Sequence, residues 1–455
     1  MDRGSFHHAG SRQSESNAST VCAMVVGEFT QDADVVVIGA GPAGYSCAFA
    51  AAEAGHEVTL VDPNATPGGQ CLTQACIPSK AMLHVAASAA TATSAGLTGN
   101  PLTIDPSSVE SWVKRCTNRL GKGLAGAADQ RRITQLRGQA RFLSNREIQV
   151  AGEEVIRLRF KRAVVCTGSR PSPHPELSNH QSVCTPEALA VDPSLAVGRV
   201  VVVGHDVVAV ESAIMAQALG AKVSLHTNGS VLLPDIPTEL RDAVLQFNHI
   251  EVDTAAWSTP PQADLVVDAA RRQAHIEHLD LHVTDVQVKD NWILTDAHLK
   301  TQAGRILAAG DCAGPPLWAG AALAQGRIAA ESIDGQGYWE PASVPRVLFG
   351  PVEMSWSGDA ADEADVGTIS VPWSYSGLAV AKGAAQGLTH LRWDRTHGTI
   401  IGAGAVGRGA AEFATAATLV VELGATLQDL ADMVPAHPTC SELLLEAAQQ
   451  ALSES

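Results

Sequence analysis

Two cysteines that stand five positions apart are the residues of this sequence best suited to chemistry. They lie in the stretch Gly68-Gly69-Gln70-Cys71-Leu72-Thr73-Gln74-Ala75-Cys76-Ile77-Pro78-Ser79-Lys80. Proline is favoured at a first helical position because it has no amide hydrogen to lose, so we expect a helix that begins near Pro78 and carries Lys80. The thiols would then lie in the loop or distorted turn before it. A helix N-terminus and a lysine both favour the thiolate that thiol–disulfide exchange requires.

A strand, a glycine-rich turn, a helix and a second strand precede the cysteines. The β-branched run 34–38 is typical of a strand buried in a parallel sheet. It leads into Gly39-Ala40-Gly41-Pro42-Ala43-Gly44, a helical stretch as far as Ala54, and a strand 57–61 that ends at Asp62. Glycines for a tight turn, a helix N-terminus for phosphates and an acid for a ribose make a complete dinucleotide-binding pattern. A chance glycine turn is the alternative, and it leaves the helix and the acid unexplained.

The cysteine stretch resembles the redox centre of the pyridine nucleotide–disulfide oxidoreductases, and most closely that of the dihydrolipoamide dehydrogenases. That family writes Gly-Gly-Xaa-Cys, four residues, then Cys-Ile-Pro-Ser-Lys, often followed, as here, by Ala81-Met82-Leu83-His84. The resemblance implies a redox-active disulfide between Cys71 and Cys76 beside a non-covalently bound FAD. The alternative is that both cysteines pack in a core as small apolar residues.

Two later stretches resemble the other FAD-contacting segments of the family. The run 162–166 leads into Thr167-Gly168, and the run 306–311 resembles the strand whose final aspartate holds the ribityl chain of FAD. The resemblance therefore implies the following cofactor-binding residues: Gly39, Gly41, Pro42, Ala43, Gly44, Asp62, Gly69, Gln70, Lys80, Thr167, Gly168 and Asp311.

A second strand–helix–strand unit, from Arg199, departs from the family pattern. In the family it binds NAD(P) and has glycines where His205, Asp206 and Ala209 stand here. Alanine is tolerated at the third position, whereas Asp206 puts a side chain and a negative charge where the backbone must approach a pyrophosphate. Glu211 is retained, and the matching glutamate of the family pairs with the lysine of the redox helix, here Lys80.

Three further departures affect the same unit. Its second strand ends at His226-Thr227, so the acid for the ribose hydroxyls is missing, and no arginine offers a site for a 2′-phosphate. Only 15 residues separate Ile250 from Val266, where the family carries a longer stretch with extra strands. The turn 268–271 keeps only the arginine of the family's Ala-Xaa-Gly-Arg. Whether NAD(P) binds stays open at this point, because the unit is either a scaffold or a remodelled site.

Near its C-terminus the sequence reads Ala436-His437-Pro438-Thr439-Cys440-Ser441-Glu442. This stretch resembles the family's terminal His-Pro-Thr-Xaa-Xaa-Glu. The resemblance implies that His437 is a general base, oriented by Glu442, which reaches the disulfide of the partner subunit in a homodimer. Histidine suits this task because its proton affinity lies near neutral pH. The alternative is an ordinary surface or capping histidine, and Cys440 has no assigned role.

Composition excludes several other classes of protein. A formal net charge of −17 argues against nucleic acid and anionic membranes as partners, and no apolar run approaches the length of a membrane span. Nine dispersed cysteines indicate a reducing, cytoplasmic setting rather than a disulfide scaffold, and no spacing of cysteine or histidine indicates a metal site.

The resemblance spans roughly residues 33–450 and implies an α/β fold with two Rossmann-like dinucleotide-binding domains, of FAD and NAD(P) type, and a C-terminal α+β dimerisation domain. We expect a disordered tail at 1–32, the FAD domain at 33–198 and 271–342 around a degenerate NAD(P)-type domain at 199–270, and the dimerisation domain at 343–455. The predicted strands of that last domain are 347–354, 373–382, 391–394 and 399–406, and its helices are 411–424 and a segment from 442 onward.

Three functions fit this pattern. The first is an FAD-dependent oxidoreductase that relays electrons between a dithiol substrate, the Cys71–Cys76 disulfide and FAD, and then to NAD⁺ if the altered site still binds it. The second is a dithiol oxidase that uses oxygen or another acceptor, which the residues Gly204–Glu211 and Thr227 favour. The third, a non-catalytic flavoprotein, would predict the loss of Cys71, Cys76 or His437, and all three are present. A lipoyl group is the substrate that the resemblance implies.

Overall fold

The computed structural model describes residues 30–94, 103–177, 180, 182–257, 261–360 and 365–454. Most of the predicted tail lies outside these residues. The prediction is wrong for Thr30–Asp32, which belong to the first strand and pair with Arg157–Arg159. Strand pairing uses backbone groups, so it continues into these polar residues beyond the apolar run. Within the described ranges, no helix combines the length and apolar character that a membrane crossing needs.

The described residues form strands and helices with the following bounds. The strands are β1 (Thr30–Ile38), β2 (Val58–Asp62), β3 (Thr134–Arg137), β4 (Gln139–Ser144), β5 (Glu147–Ala151), β6 (Val155–Val165), β7 (Ser169–Pro171), β8 (Val183–Cys184), β9 (Arg199–Val203), β10 (Lys222–His226), β11 (Val252–Asp253), β12 (Leu265–Asp268), β13 (Arg272–Ala274), β14 (Val288–Lys289), β15 (Trp292–Ile293), β16 (Ile306–Ala308), β17 (Arg346–Leu348), β18 (Glu353–Gly358), β19 (Val366–Pro372), β20 (Gly387–Asp394) and β21 (Ile400–Gly407). The helices are α1 (Pro42–Glu53), α2 (Gly69–Thr73), α3 (Cys76–Ser94), α4 (Pro106–Gln130), α5 (Pro186–Val191), α6 (Val207–Ala218), α7 (Thr238–Phe247), α8 (Ala319–Ile333), α9 (Gly377–Ala381), α10 (Ala410–Glu422), α11 (Leu427–Ala431) and α12 (Glu442–Glu454).

The first sheet holds the glycine-rich turn at the carboxyl end of its central strand. Its order is β3-β2-β1-β6-β5-β4, with β16 beside β6, and β1 pairs in parallel with both β2 and β6. Val37 lies opposite Leu60 on one side and Val164 on the other. These β-branched and leucine side chains are fully buried, as in a sheet covered on both faces. Pro42 opens α1, where its missing amide hydrogen costs nothing.

The second sheet repeats the arrangement on a smaller scale. Its order is β11-β10-β9-β12-β8, and every pairing is parallel. Its central strand β9 is followed by α6 and then by β10, so the second unit keeps the strand–helix–strand architecture. Helix α3 packs against α6, because Met82 and Leu83 share one core with Val210 and Ile214.

The third sheet is antiparallel, in the order β17-β18-β21-β20-β19, and α10 and α12 pack against it. Two predictions here are wrong. The run 347–354 is interrupted by Gly350-Pro351 and forms two strands, β17 and β18, rather than one. The run 373–382 forms a 3₁₀ turn and α9, where Ser376 caps the helix, and the edge strand is instead β19. The predicted fold class of two Rossmann-like units and a C-terminal α+β domain is confirmed.

Candidate active site

Cys71 and Cys76 lie on two consecutive helices rather than in a loop. Cys71 is in the short helix α2, the helical conformation is interrupted at Gln74 and Ala75, and α3 begins at Cys76. The predicted helix start near Pro78 is two residues late, because the proline lies in the first turn of α3 and loses no hydrogen bond there. The amide of Gly68 donates to the carbonyl of Ala40 at 2.7 Å, which attaches this segment to the glycine-rich turn.

The two cysteines are free thiols joined by a hydrogen bond. The bond from Cys71 lowers the pKa of Cys76, and the positive charge of Lys80 lowers it further, against the opposing effect of burial. The same bond, together with burial, raises the pKa of Cys71 above its usual range. These effects favour the thiolate at Cys76, with Cys71 as the thiol that donates to it.

A cavity of about 420 Å³ lies between the glycine-rich turn, the two cysteines and the start of β7. Its volume falls in the range of small-molecule and cofactor sites. It brings together most of the predicted site residues: Gly39, Gly41, Pro42, Ala43, Asp62, Gly69, Gln70, Cys71, Cys76, Thr167, Gly168 and Asp311. The predicted residues that do not line it are Gly44, Lys80, Glu211, His437 and Glu442.

The glycines of the first turn have different tasks. Gly39 has φ +101°, and a Cβ there would lie 2.4 Å from the carbonyl oxygen of Cys166. A Cβ on Gly44 would lie 1.8 Å from the oxygen of Gly39, so Gly44 allows the helix to pack on the turn and does not face the cavity. A Cβ on Gly41 would meet no protein atom within 4 Å, which leaves open space above the turn for a ligand.

The polar groups of the cavity wall are only partly satisfied by the protein. Asp62 accepts hydrogen bonds from the amides of Ala40, at 2.7 Å, and Asn64, at 2.8 Å. Asp311 accepts from the hydroxyl of Ser169 at 2.6 Å, and burial raises the pKa of its carboxyl group. The hydroxyl of Thr167 is buried and has no hydrogen-bond partner among the described residues. A bound molecule with polar groups would satisfy it.

Arg272 is a site residue that the sequence analysis missed. Its guanidinium donates to Gln70 at 2.6 Å, to the hydroxyl of Ser169 at 2.9 Å and to the buried Glu187 at 2.5 Å. It therefore ties the residue before Cys71 to the hydroxyl that holds Asp311. The only signal in the sequence was that Arg272 directly follows Arg271. Arg271 itself is exposed and donates to the carbonyl of Pro173.

Lys80 and Glu211 lie next to the thiol pair and join three parts of the chain. Their charged groups are 2.7 Å apart, and the carboxylate also accepts from the amide of Phe349 at 3.0 Å. The lysine nitrogen lies 5.1 Å from the centre of the Phe349 ring. Glu211 is almost fully buried, so the pairing with Lys80 compensates a charge that would be costly alone.

The turn of the second unit is closed by its own side chain. The carboxylate of Asp206 caps α6 by accepting a hydrogen bond from the amide of Ala209 at 3.0 Å. In a nucleotide-binding unit this amide end of the helix receives the pyrophosphate. A carboxylate already holds it here, and its charge would repel phosphate.

The ribose end of the second unit is occupied by aromatic side chains. His226, at the position of the missing acid, contacts Ser224 at 3.0 Å and Asp253 at 3.5 Å. The Trp257 ring lies 6.2 Å from the ring of His226, and its indole N–H donates to Glu176. Trp257 also packs on the valines of β9 and β12. Trp257 and His226 therefore pack together at this end of the second unit.

His437 lies away from the cavity of its own chain, on an exposed surface. Its Nδ1 is 2.6 Å from Glu442, and that carboxylate also accepts from the amide of Thr439 at 2.8 Å. These two bonds lower the pKa of Glu442. The His437 side chain is 78% exposed, so its imidazole is accessible to a molecule outside this chain.

Residues 33–257 match the family model described as pyridine nucleotide-disulphide oxidoreductase, and residues 344–448 match the dimerisation domain of that family. The chain belongs to the pyridine nucleotide-disulphide oxidoreductase family and is an oxidoreductase of the flavoprotein disulfide type. The family and the enzyme class predicted from the sequence are thereby confirmed.

Curated relatives and a solved structure resemble the chain over nearly its whole length. It is 31% identical to the dihydrolipoyl dehydrogenase of Vibrio cholerae, over 92% of this chain and 95% of the relative. It is 30% identical to that of Bacillus subtilis, over 94% and 98%. The HOCl-induced flavoprotein disulfide reductase RclA from Escherichia coli, solved as a Cu(II) complex, superposes with a TM-score of 0.80 at 21% identity, covering 92% of this chain and 100% of that one. At that identity the likeness concerns the fold.

Proposed function

We propose that this protein is an FAD-dependent dithiol oxidase, which converts a dithiol to a disulfide and passes the electrons to dioxygen or another small acceptor. The observation that carries the choice of acceptor is the second unit, where Asp206 caps α6 from inside and Trp257 fills the ribose edge. With dioxygen, one dithiol and one O₂ give one disulfide and one H₂O₂.

The residues around the 420 Å³ cavity fit FAD. The open space above Gly41 suits the pyrophosphate, and the buried hydroxyl of Thr167 has no partner of its own. Asp62 and Asp311 would hold the two sugar-like parts of the molecule. When bound, FAD accepts the two electrons of a dithiol and releases them to a second acceptor. Lys80 and Glu211 do not line the cavity, and they would tune the flavin from behind its wall.

The thiol pair performs the exchange with the substrate. Starting from the disulfide, a substrate thiolate attacks the sulfur of Cys71, and the bond to Cys76 breaks with its electron pair on Cys76. The positive charge of Lys80, which lowers the pKa of Cys76, stabilises Cys76 as the leaving thiolate. The second substrate thiol then attacks the sulfur that is bonded to Cys71. The substrate leaves as a disulfide, and the two cysteines of the protein are left in the reduced, unbonded form that the structure contains.

His437 would remove the substrate protons across a homodimer. Its side chain is exposed and its Nδ1 is held by Glu442, so it would serve the cavity of a partner subunit rather than its own. The match of residues 344–448 to a dimerisation domain supports this arrangement. The proposal also places the protein in the cytoplasm, since nine dispersed cysteines suit a reducing compartment.

A dihydrolipoyl dehydrogenase activity with a remodelled nicotinamide site is the second candidate. It is favoured by the relatives of that name, at 31% and 30% identity over more than nine-tenths of the chain. A lipoyl dithiol is also the substrate that we would offer first to the oxidase.

One anaerobic titration separates the two candidates. The purified yellow holoprotein receives NADH, NADPH and then dihydrolipoamide, and its visible absorbance is followed before air is admitted. The oxidase predicts bleaching by dihydrolipoamide alone, recovery in air and one H₂O₂ for each disulfide formed. Rapid bleaching by NADH or NADPH would instead establish a working nicotinamide site and a dehydrogenase.

A further inference from the structure

His275, Glu277 and His278 form a compact cluster of metal-ligating side chains at one end of the cavity. One ligand atom from each lies within 4.8 Å of the other two, and the two imidazole ring centres are 4.7 Å apart. Both histidines line the cavity, and neither takes part in the thiol exchange. The sequence spacing predicted no metal site, because these ligands meet through a short turn rather than through a recognisable motif.

The local backbone holds the three side chains together. Strand β13 ends at Ala274, which pairs with Ser169 of β7, and the amide of His275 then donates to the carbonyl of Gly168 at 2.9 Å. The chain continues into the 3₁₀ turn Glu277–Leu279, which the buried Leu279 anchors. His275 lies just before this turn and His278 lies within it, and their ring centres are 4.7 Å apart.

The carboxylate of Glu277 is oriented by partners outside the cluster. Arg170 and Gln273 donate to Oε1, at 2.5 Å and 2.9 Å. Second-layer hydrogen bonds of this kind are typical of ligating carboxylates.

We propose that His275, Glu277 and His278 bind one divalent transition-metal cation of the zinc class. Two imidazoles and one carboxylate form a ligand set that suits zinc, with an open fourth position. Because both histidines face the cavity, the open position takes water or an oxygen atom of a molecule bound there. The site is separate from the thiol pair, which would offer sulfur ligands instead.

Zinc binding to the air-oxidised holoprotein tests the proposal, because the Cys71–Cys76 pair is then a disulfide and offers no thiolate. Isothermal titration with Zn²⁺ is compared among the parent, His275→Ala, His278→Ala and the control His282→Ala. His282 is an exposed histidine four residues beyond the cluster. We expect both cluster variants to lose one zinc equivalent per chain and the control to keep it. Equal zinc uptake by all four proteins would overturn the site.

Two further measurements keep the result interpretable if an alanine variant folds poorly. Glu277→Gln keeps the side-chain shape and an oxygen for Arg170, and it should weaken zinc binding at least about tenfold. Zinc X-ray absorption of the parent should show nitrogen and oxygen neighbours at about 2.0–2.2 Å, whereas sulfur at about 2.3 Å would place the metal on cysteines and reject the site. Retained zinc binding with lower FAD content in the histidine variants would show that these residues hold the cofactor, and it would equally reject the site.

Discussion

The two Rossmann-like units of this chain share an architecture and differ at the turn that meets a ligand. In the first, β1 leads to a turn with Gly41, where a Cβ would meet open space. In the second, β9 leads to a turn with Asp206, whose carboxylate accepts a hydrogen bond from the amide of Ala209 in α6. The second strand of the first unit ends in Asp62. The second strand of the second unit ends in His226, whose ring lies next to the ring of Trp257. The first turn leaves open space at Gly41, whereas in the second a carboxylate caps the helix N-terminus.

The comparison shows that two units with the same strand–helix–strand architecture can carry different groups at the turn. The free amides of a helix N-terminus need an acceptor, and a capping aspartate supplies what a phosphate otherwise would. The second unit also retains a structural task. Its buried Glu211 pairs with Lys80 beside the thiols and accepts from the amide of Phe349 in the third domain. Selection for that task alone would maintain the strand–helix–strand unit.

The largest effect that we predict is the loss of dithiol turnover when either cysteine of the first unit is replaced. Cys71→Ser and Cys76→Ser should each abolish dithiol turnover, because neither variant can form the disulfide, while FAD stays bound. Steady-state oxidation of dihydrolipoamide and the flavin content of the purified protein measure the two properties. Cys116→Ser, which alters a partly exposed cysteine of α4, is the matched control and should turn over normally. Parent-like turnover in either active-site variant would remove the relay.

Exchanging the two turns breaks the comparison directly. Gly41→Asp puts a carboxylate into the space for the pyrophosphate, and we expect purified protein without FAD. The reverse change, Asp206→Gly, should leave FAD content and dithiol turnover unchanged, and NADH should still fail to reduce the protein because Trp257 fills the ribose edge. Flavin content and anaerobic reduction are the measurements. An Asp206→Gly protein that NADH reduces rapidly would show that one residue alone separates the units.

A smaller loss is expected from the base that acts from the third domain. His437→Gln should slow reduction by the dithiol about 10²–10⁴-fold in a single turnover, since that is the range for general base catalysis. Glu442→Gln should retain part of the rate, because it orients the imidazole without touching substrate. Raising the pH should recover rate in His437→Gln as the dithiol ionises unaided. An unchanged rate at neutral pH would exclude the histidine from the proton transfer.

The sequence could predict the fold and most of the cavity because both depend on local patterns. Glycines at fixed offsets, β-branched runs and a terminal aspartate identify a unit without reference to the rest of the chain. Arg272 and the cluster of His275 and His278 escaped prediction, since their roles depend on which loops the fold brings together. The wrong strand at 373–382 has a similar cause: a short apolar run forms strand or helix according to its neighbours, and here a serine cap decided for helix.

The ion pair between Lys80 and Glu211 joins the two units, and its lysine also affects the pKa of Cys76. Lys80 lowers the pKa of Cys76, so the thiolate persists as the pH falls below the usual thiol range of about 8.5. Lys80→Met removes this positive charge, and the midpoint of thiolate formation should move to higher pH. The absorbance near 240 nm of the dithiol-reduced protein follows the titration. Lys80→Arg, which keeps the charge, is the control, and equal midpoints for Met and Arg would refute the electrostatic role.

The smallest effect concerns the cap that replaced the phosphate. Asp206→Ala removes the acceptor for the amide of Ala209 and should destabilise the start of α6 by about 1 kcal/mol, the usual value of an N-cap. Hydrogen exchange of the amides in the first turn of α6 should then be about fivefold faster than in the parent. Asp206→Asn should exchange as the parent does, because asparagine caps equally well without a charge. If Asp206→Asn remained inert to NADH, the closed ribose edge would be the stronger barrier. If it became reducible by NADH, the charge of Asp206 alone would account for the lost nucleotide site.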